Sequence, residues 1–491
     1  MTLRTTSGRV RGRRHAGIAS FLGIPYAAEP FGAFRFRAPG PPPRWDGVRD
    51  ALTHGPTAPQ SGTQRLPGID LAPLLGGWTR GDDCLTVNVW TPDPDTAGLP
   101  VMIFLHGGSF VAGAGSLPVY DGARFAARGV VLVTVNYRLG AEGFLPLPGG
   151  DANAGLRDQI AALRWVQQNI AAFGGDPAQV TVFGESAGAI SIACLMASPA
   201  AAGLFARAIL QSGNTSVRSA GFGPRLANAL AGLLGAAPTR QSFARLDPAD
   251  LVDAQVRLAR DPGVIDLSGL RERAGAVTLV QFLPALDGEI VPVPVLDAVD
   301  AGAAAGIDVL GGTNTDEMNL WLVPTGVVAA TTQESLEQRL AAQQGADPAA
   351  VIGAYRRAHP DATPGQLYSA IATDRTFRGP TLKLLDRHTA AGGRAFAFEF
   401  TEPSPALGGG LGACHLVELP YVFGNLRADG LGGSSGLSGD EPSETLSARV
   451  QEAWVRFAAH GDPGWAPYTA HERSVMRIGA AAWTLAPAVL P

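Results

Sequence analysis

A serine between two glycines is the strongest chemical signal in this 491-residue chain. Ser186 lies in the segment Gly184–Gly188, which follows the apolar β-type run 179–183 and precedes a run with helical apolar spacing. A G-x-S-x-G motif between a strand and a helix predicts a tight turn that presents the hydroxyl as a nucleophile. A second match, around Ser434, has neither a strand before it nor a helix after it, and we interpret it as a surface loop. The context therefore selects Ser186.

A serine nucleophile needs a histidine base and an acid that orients this base. A strand predicted at 307–310 leads into Asp316 and Glu317, and either carboxylate could serve as the acid. His415 stands out among the downstream histidines because Gly412-Ala413-Cys414 leads into it and an apolar segment, 416–424, follows it. The residues alone predict a triad of Ser186, His415 and one of the two carboxylates.

The elements around these residues indicate an α/β fold. The runs 99–105 and 130–136 are apolar without polar alternation, which is typical of parallel strands buried on both faces. Helical spacing occupies 154–170, with Asn153 as a possible cap, and 187–197. Strands that alternate with helices predict a mostly parallel central sheet flanked by helices. We expect one domain, 1–491, with helical insertions at about 218–300 and 320–390.

Composition narrows the possible partners and the compartment. The net charge of -5 and the scattered arginines give no basic stripe for nucleic acid. No uncharged apolar run of membrane-spanning length and no signal-type start is present in the sequence, so we expect a cytoplasmic protein without a membrane partner. Cys84, Cys194 and Cys414 are too few and too far apart for a disulfide framework or a metal cluster. Cys414, beside His415, is either a small buried filler or a reactive thiol.

Ten segments carry a resemblance to a known family over nearly the whole chain. They are 21–27, 82–89, 106–110, 136–140, 153–159, 169–177, 183–188, 211–213, 314–317 and 415–424. Together they resemble type-B carboxylesterases, the family of carboxylesterases, cholinesterases and bacterial p-nitrobenzyl esterases. The resemblance implies the α/β-hydrolase fold, in which the insertions form a gorge and 64–81 forms a lid-like segment.

The activity implied by the resemblance is hydrolysis of small to medium apolar carboxylic esters through an acyl-enzyme, by a monomer or homodimer and without a metal or organic cofactor. A lipase, an amidase or a carbamate hydrolase on the same scaffold is the alternative. A binding-only relative is disfavoured because such proteins lose the nucleophile.

The resemblance also implies roles for single residues. It makes Glu317 the acid and leaves Asp316 to brace or cap the loop. The backbone amides of Gly108, Ser109 and Ala187 would form the oxyanion hole. The remaining expectations concern supporting residues: Gly107 and His106 in the amide loop, Ser212 as a hydrogen-bond donor to the acid, Glu185 as a negative charge or a structural carboxylate beside the nucleophile, and Phe110 and Phe282 as walls of the substrate pocket.

Overall fold

An eleven-stranded sheet runs through the part of the chain that the computed structural model describes, which comprises residues 1–61, 65–268, 281–342, 347–433, 435–488 and 490. Four sequence-based expectations fall partly or wholly outside these residues: the loop interpretation of Ser434, the first residue of the lid-like segment, 269–280 of the first insertion and 343–346 of the second. The strands are β1 Thr2–Arg4, β2 Arg9–Arg11, β3 Arg13–His15, β4 Ile18–Pro25, β5 Val48–Asp50, β6 Arg65–Leu66, β7 Ile69–Asp70, β8 Thr86–Thr91, β9 Leu99–Leu105, β10 Val131–Val135, β11 Gly175–Glu185, β12 Arg207–Gln211, β13 Asp308–Asn314, β14 Ala395–Phe400, β15 Ser474–Ile478 and β16 Trp483–Pro487.

The large sheet has the strand order β16-β15-β14-β13-β12-β11-β9-β10-β8-β4-β3. Its middle, from β15 to β10, is parallel throughout, and antiparallel pairs extend it at both edges. The expected α/β-hydrolase fold with a mostly parallel sheet is confirmed. The carboxyl ends of the parallel strands meet at one edge, where loops can build a site.

The central strands are apolar throughout because both of their faces are covered. In β9, Val101, Ile103 and Leu105 pack into one hydrophobic core, whereas Met102 and Phe104 pack into a second core across the sheet. Successive side chains of a strand point to opposite faces, so a strand between two cores has no place for a polar residue. The continuous apolar run in the sequence is the direct result.

Helices cover the sheet and occur in the described parts of both stretches that the sequence assigns to insertions. The α-helices are Ala72–Leu75, Ala123–Ala126, Gly140–Phe144, Ala154–Asn169, Ala187–Ala197, Phe222–Leu234, Arg240–Phe243, Pro248–Arg260, Val295–Asp300, Asn319–Leu322, Val327–Ala330, Gln333–Ala341, Pro348–Ala358, Pro364–Thr373, Gly379–Ala390, Leu419–Phe423 and Glu444–His460. A π-turn, Asp374–Arg378, joins Pro364–Thr373 to Gly379–Ala390. No helix among the described residues has the length and apolar character that a bilayer crossing requires.

Two local expectations need correction. Asn153 does not cap the helix Ala154–Asn169: it has a left-handed φ of +54°, and its side chain binds the backbone of Ala285 and the carboxylate of Asp287 instead. Strand β13 does not end at 310 but continues to Asn314. Gly312 pairs with β12 and β14, and a β-carbon at this position would collide with the carbonyl of Phe398, so the glycine permits close strand approach.

Candidate active site

The turn between β11 and the following helix presents Ser186 at the carboxyl edge of the sheet. Ser186 has a φ of +53°, its N–H donates to the carbonyl of Gln211 over 2.9 Å, and the helix begins at Ala187. A β-carbon at Gly188 would collide with the carbonyl of Leu105, and one at Gly184 would lie 2.6 Å from the same oxygen. Only glycine therefore fits on either side of this turn, and the strained serine is held by the strands around it.

Three backbone amides near Ser186 are left without an acceptor. The N–H groups of Gly108, Ser109 and Ala187 donate to no other group in the described part of the chain. Gly108 has a φ of +108°, and a β-carbon there would collide with the carbonyl of Ala112; Ser109 has a φ of +56°. This conformation frees the loop amides from regular hydrogen bonding, so they can serve a developing oxyanion.

The residues that flank this loop fix its position. A β-carbon at Gly107 would collide with the carboxylate of Glu185, so the loop approaches the nucleophile turn only with glycine there. His106 Nδ1 lies 2.8 Å from the carbonyl oxygen of Gly107, and its ring stacks on Tyr137 with 4.4 Å between centroids. Burial lowers the pKa of His106 to about 4, so the ring is neutral at neutral pH and acts as a structural support.

Glu317 and His415 form a buried pair beneath this edge. His415 Nδ1 lies 2.6 Å from Glu317 Oε2, and the side chains expose 3% and 0% of their surface. The other oxygen, Glu317 Oε1, accepts hydrogen bonds from Ser212 Oγ over 2.6 Å and from the N–H of Asn314 over 2.7 Å. Both carboxylate oxygens are therefore occupied, which fixes the orientation of the Glu317 carboxylate and hence of the imidazole.

Asp316, the other carboxylate that the sequence leaves open, takes part in a different contact. Its Oδ2 accepts a hydrogen bond from the N–H of Ala413 over 3.0 Å, and its own N–H donates to the carbonyl of Ala413 over 2.9 Å. Asp316 thus ties the loop that carries Glu317 to the loop that carries His415. The geometry matches the bracing role and gives Asp316 no contact with the imidazole.

The other imidazole nitrogen faces a second carboxylate. His415 Nε2 lies 2.9 Å from Glu185 Oε1, although neither oxygen of Glu185 has an aligned hydrogen-bond donor among the described residues. Burial alone would lower the pKa of His415, but the carboxylates of Glu185 and Glu317 raise it well above its ordinary value. No hydrogen bond joins Ser186 Oγ to His415 in the described residues, so the imidazole rests between two acids.

A third buried carboxyl group, Glu418, was not singled out from the sequence. It accepts hydrogen bonds from Gln211 Nε2 over 3.1 Å and from Asn314 Nδ2 over 2.7 Å. Burial, reinforced by the charges of Glu185 and Glu317, raises the pKa of Glu418 to about 8. Its position three residues after His415 is the only sequence signal that could have identified it.

Two aromatic rings flank the imidazole and also escaped the sequence interpretation. The ring centroids of Trp321 and Phe377 lie 5.0 Å and 4.8 Å from that of His415. Both residues belong to the second helical insertion, where the sequence does not reveal which residues turn towards the sheet. They give the imidazole an apolar rim.

The expectation that Phe110 and Phe282 line the substrate pocket is not supported. Their exposures are 0% and 1%, and both belong to the larger hydrophobic core. Phe110 packs edge to face on Phe144 with 4.7 Å between centroids. Neither ring offers a surface to a ligand, because both are buried in this core, and Phe110 has a left-handed φ of +61°.

The three cysteines are buried and unpaired. Burial raises the pKa of the thiol of Cys194 to about 12, and it raises that of Cys414 well above its ordinary value. Cys414 therefore remains a protonated thiol at neutral pH, and the buried-filler interpretation fits it better than the reactive one.

Known proteins resemble this chain over nearly its whole length. The model of the carboxylesterase family matches residues 1–485. The para-nitrobenzyl esterase of Bacillus subtilis is 38% identical over 96% of this chain and 93% of its own length, and the phenmedipham hydrolase of Pseudarthrobacter oxydans is 35% identical over 97% and 94%. The crystal structure of a Geobacillus stearothermophilus carboxylesterase at pH 6.2 superposes with a TM-score of 0.84 and 34% identity, covering 99% of this chain and 98% of that one.

Proposed function

The chain belongs to the carboxylesterase family, and we propose that its ester hydrolysis uses Ser186 as nucleophile, His415 as base and Glu317 as the orienting acid. The observation that carries this assignment is the buried contact of 2.6 Å between Glu317 and His415 Nδ1 beside the strained turn of Ser186. A carboxylate on Nδ1 keeps the proton there and leaves Nε2 free to accept one.

In the first half of the reaction, His415 Nε2 accepts the hydroxyl proton as Ser186 Oγ bonds to the ester carbonyl carbon. The N–H groups of Gly108, Ser109 and Ala187 stabilise the oxyanion. The carbon–oxygen bond to the alcohol then breaks, and the alcohol leaves with the proton from His415. Each donor of such a hole typically contributes about 3 to 4 kcal/mol to the transition state.

In the second half, water attacks the acyl-enzyme while His415 again accepts and returns the proton, and Ser186 is restored with release of the acid. Nε2 faces Glu185 before substrate binds. The mechanism therefore requires the imidazole to move from Glu185 towards Ser186 Oγ when the site fills, and catalytic hydrogen bonds commonly tighten in this way.

We further propose small to medium apolar esters as substrates. The aromatic rings of Trp321 and Phe377 beside His415 favour an apolar group near the base. In the lid-like segment 64–81, Leu71, Leu74 and Leu75 are buried in the second hydrophobic core, and we keep its role as a wall or lid as part of this proposal. The three unpaired thiols fit a reducing, cytoplasmic compartment, and either a monomer or a homodimer is compatible with this mechanism.

Hydrolysis of p-nitrophenyl esters of increasing acyl length tests the proposal. We expect turnover that is highest for short and medium acyl chains, that disappears in Ser186→Ala, and that survives in Ser434→Ala, the serine of the second motif. A fluorophosphonate probe should phosphonylate Ser186 with loss of HF, which adds the mass of the phosphonyl group to the peptide that contains Ser186. Equal turnover in the wild type and Ser186→Ala would contradict the mechanism. A preference for emulsified long-chain esters would mean that the enzyme is a lipase and not an esterase of small to medium substrates.

A further inference from the structure

Besides the segment of Trp321, the π-turn Asp374–Arg378 brings a second part of the second insertion against the triad. It interrupts what is otherwise one helix from Pro364 to Ala390. π-turns inside α-helices occur frequently at functional sites, because the wider turn redirects the side chains that follow it. Here the redirected side chains are Phe377, against the imidazole of His415, and Arg378, against the acid loop, defined as residues 315–319.

Three hydrogen bonds connect this part of the insertion to the acid loop. Ser369 Oγ donates to Asn319 Oδ1 over 2.6 Å, and Thr373 Oγ1 accepts from the N–H of Met318 over 3.1 Å. Arg378 donates to the carbonyl oxygen of Thr315 over 2.9 Å. The loop that carries Glu317 is therefore held at its beginning, its middle and its end by the insertion.

Arg378 is the charged member of this set, and its guanidinium also joins two carboxylates. It donates to Asp374 and, over 3.0 Å, to Glu399 Oε1, while its side chain is only 17% exposed. Asp374 is in turn held by the hydroxyl of Tyr355 over 2.7 Å. A planar guanidinium suits this position because it can serve a carbonyl and two carboxylates at once, whereas an ammonium group cannot do so with the same geometry.

The charge of Arg378 also bears on the triad. The acids Glu185, Glu317 and Glu418 are all buried around His415. Asp316 belongs to the acid loop itself, and Asp374 and Glu399 lie beside that loop. Arg378 attracts Glu317 electrostatically as well as its two direct partners. It thus offsets part of a negative charge that would otherwise act on the imidazole.

From these contacts we propose that Arg378 is a positioning residue for the reaction: it fixes the acid loop through Thr315 and sets the charge that Glu317 and His415 experience. This inference rests on the proposed function, since it presupposes that Glu317 and His415 are the acid and the base.

Removal of the guanidinium has two expected effects on catalysis. Arg378→Met should lower kcat by about 10²-fold, as displacements of about 1 Å in catalytic groups do, with a smaller effect on KM. Asp374 would then lose its guanidinium partner and Glu399 would keep only the contact with Arg477, so the acid limb of the pH–kcat profile should move to higher pH. A purely structural role would lower the amount of folded enzyme without moving that limb.

Chemical rescue gives an independent measurement. A cavity of about 290 Å³ is lined by Thr315, Asp374, Arg378 and Glu399, so Arg378→Ala should open a guanidinium-sized space onto it. Millimolar guanidinium chloride should raise the kcat of folded Arg378→Ala and return its acid limb towards the wild-type position. Arg477→Ala is the matched control: Arg477 contacts Glu399 over 2.9 Å but is 49% exposed, and neither its kcat nor its response to guanidinium should change.

Arg378→Lys decides the case if Arg378→Ala does not fold. Lysine keeps the positive charge but not the planar guanidinium that serves several acceptors at once. We therefore expect kcat to fall about tenfold, equivalent to about 1.4 kcal/mol, while the acid limb of the pH–kcat profile stays in place. Wild-type kcat in Arg378→Lys, or folded Arg378→Ala with neither a pH shift nor rescue, would overturn the proposal. Glu317→Gln separates a failure of the proposed function from a failure of this inference. If Glu317→Gln stays active, the assignment of Glu317 as the acid is wrong. If Glu317→Gln is inactive but the Arg378 variants behave like the wild type, only the role of Arg378 is refuted.

Discussion

Replacement of Glu317 by glutamine should inactivate the enzyme through the tautomer of His415. Ser212 Oγ and the N–H of Asn314 both donate to Glu317 Oε1, over 2.6 Å and 2.7 Å. The N–H of Asn314 can only donate, so the oxygen of the new amide must occupy this position. In the wild type, His415 Nδ1 lies 2.6 Å from Glu317 Oε2. In Glu317→Gln, the NH2 group of the amide takes the place of Oε2 and donates a hydrogen bond to Nδ1.

An imidazole that accepts at Nδ1 carries its proton on Nε2 and cannot deprotonate the serine. In a triad, this exchange of the acid for its amide lowers kcat by about 10⁴. That factor corresponds to about 5 kcal/mol of transition-state stabilisation. Because glutamine has nearly the shape of glutamate, KM and the thermal midpoint should change little.

The matched variant is Asp316→Asn, at the neighbouring carboxylate. Its amide oxygen can still accept from the N–H of Ala413, so kcat should stay within about threefold of the wild type, less than 1 kcal/mol. Steady-state hydrolysis of p-nitrophenyl butyrate, with circular dichroism to verify folding, measures both variants. A Glu317→Gln enzyme within tenfold of the wild type would refute the tautomer argument, and an inactive Asp316→Asn would move the acid to Asp316.

Three further predictions concern buried charge. Glu185→Gln should move the acid limb of kcat/KM to lower pH, because the neutral base is the active form and the carboxylate of Glu185 helps to raise the pKa of His415. Glu418→Gln should gain thermal stability relative to the wild type as the pH rises from 5 to 8. Between the ordinary pKa of 4.5 and the folded pKa of about 8, the unfolded chain releases the proton of Glu418 while the folded protein keeps it, so the wild type loses stability with rising pH in this range. Asp158→Asn should lower the free energy of unfolding, measured in urea, by about 3 to 5 kcal/mol, because it leaves the buried guanidinium of Arg138 without its carboxylate partner.

Controls for these three predictions are available in the same chain. An unchanged acid limb in Glu185→Gln would mean that Glu185 is already protonated in the resting enzyme. A constant difference in melting temperature between Glu418→Gln and the wild type from pH 5 to 8 would contradict the raised pKa. Asp50→Asn, which breaks an exposed pair with Arg11, should leave the urea midpoint unchanged, whereas an equal loss in both aspartate variants would contradict the role of burial.

The strand–turn–helix around Ser186 was predictable because its determinants are local. Small residues at Gly184 and Gly188, an apolar strand before them and a helix after them all lie within a few neighbouring positions. The choice between Asp316 and Glu317 was not local, since the two carboxylates differ only in which one faces a histidine 98 residues away from Glu317. Family resemblance favoured Glu317, and that assignment remains a prediction which the geometry supports.

The insertions mark where sequence reasoning fails. Helical spacing predicts that 320–390 forms helices, but it does not give the rotation of those helices against the sheet. Trp321, Phe377 and Arg378 approach the triad only because of that rotation and of the π-turn, which no periodicity of 3.6 residues anticipates. Phe110 was misplaced for a related reason, since a left-handed φ of +61° turns it inwards.

The three buried thiols make this protein simple to attach to a surface. Cys84, Cys194 and Cys414 are all fully covered, so a maleimide reagent reaches none of them in the folded state. A cysteine introduced at an exposed helical position, such as Lys383→Cys, would supply the single accessible thiol. The enzyme could then be immobilised or labelled at one defined point without first removing its native cysteines, and position 383 could be exchanged for any other exposed site to vary the orientation of the bound enzyme.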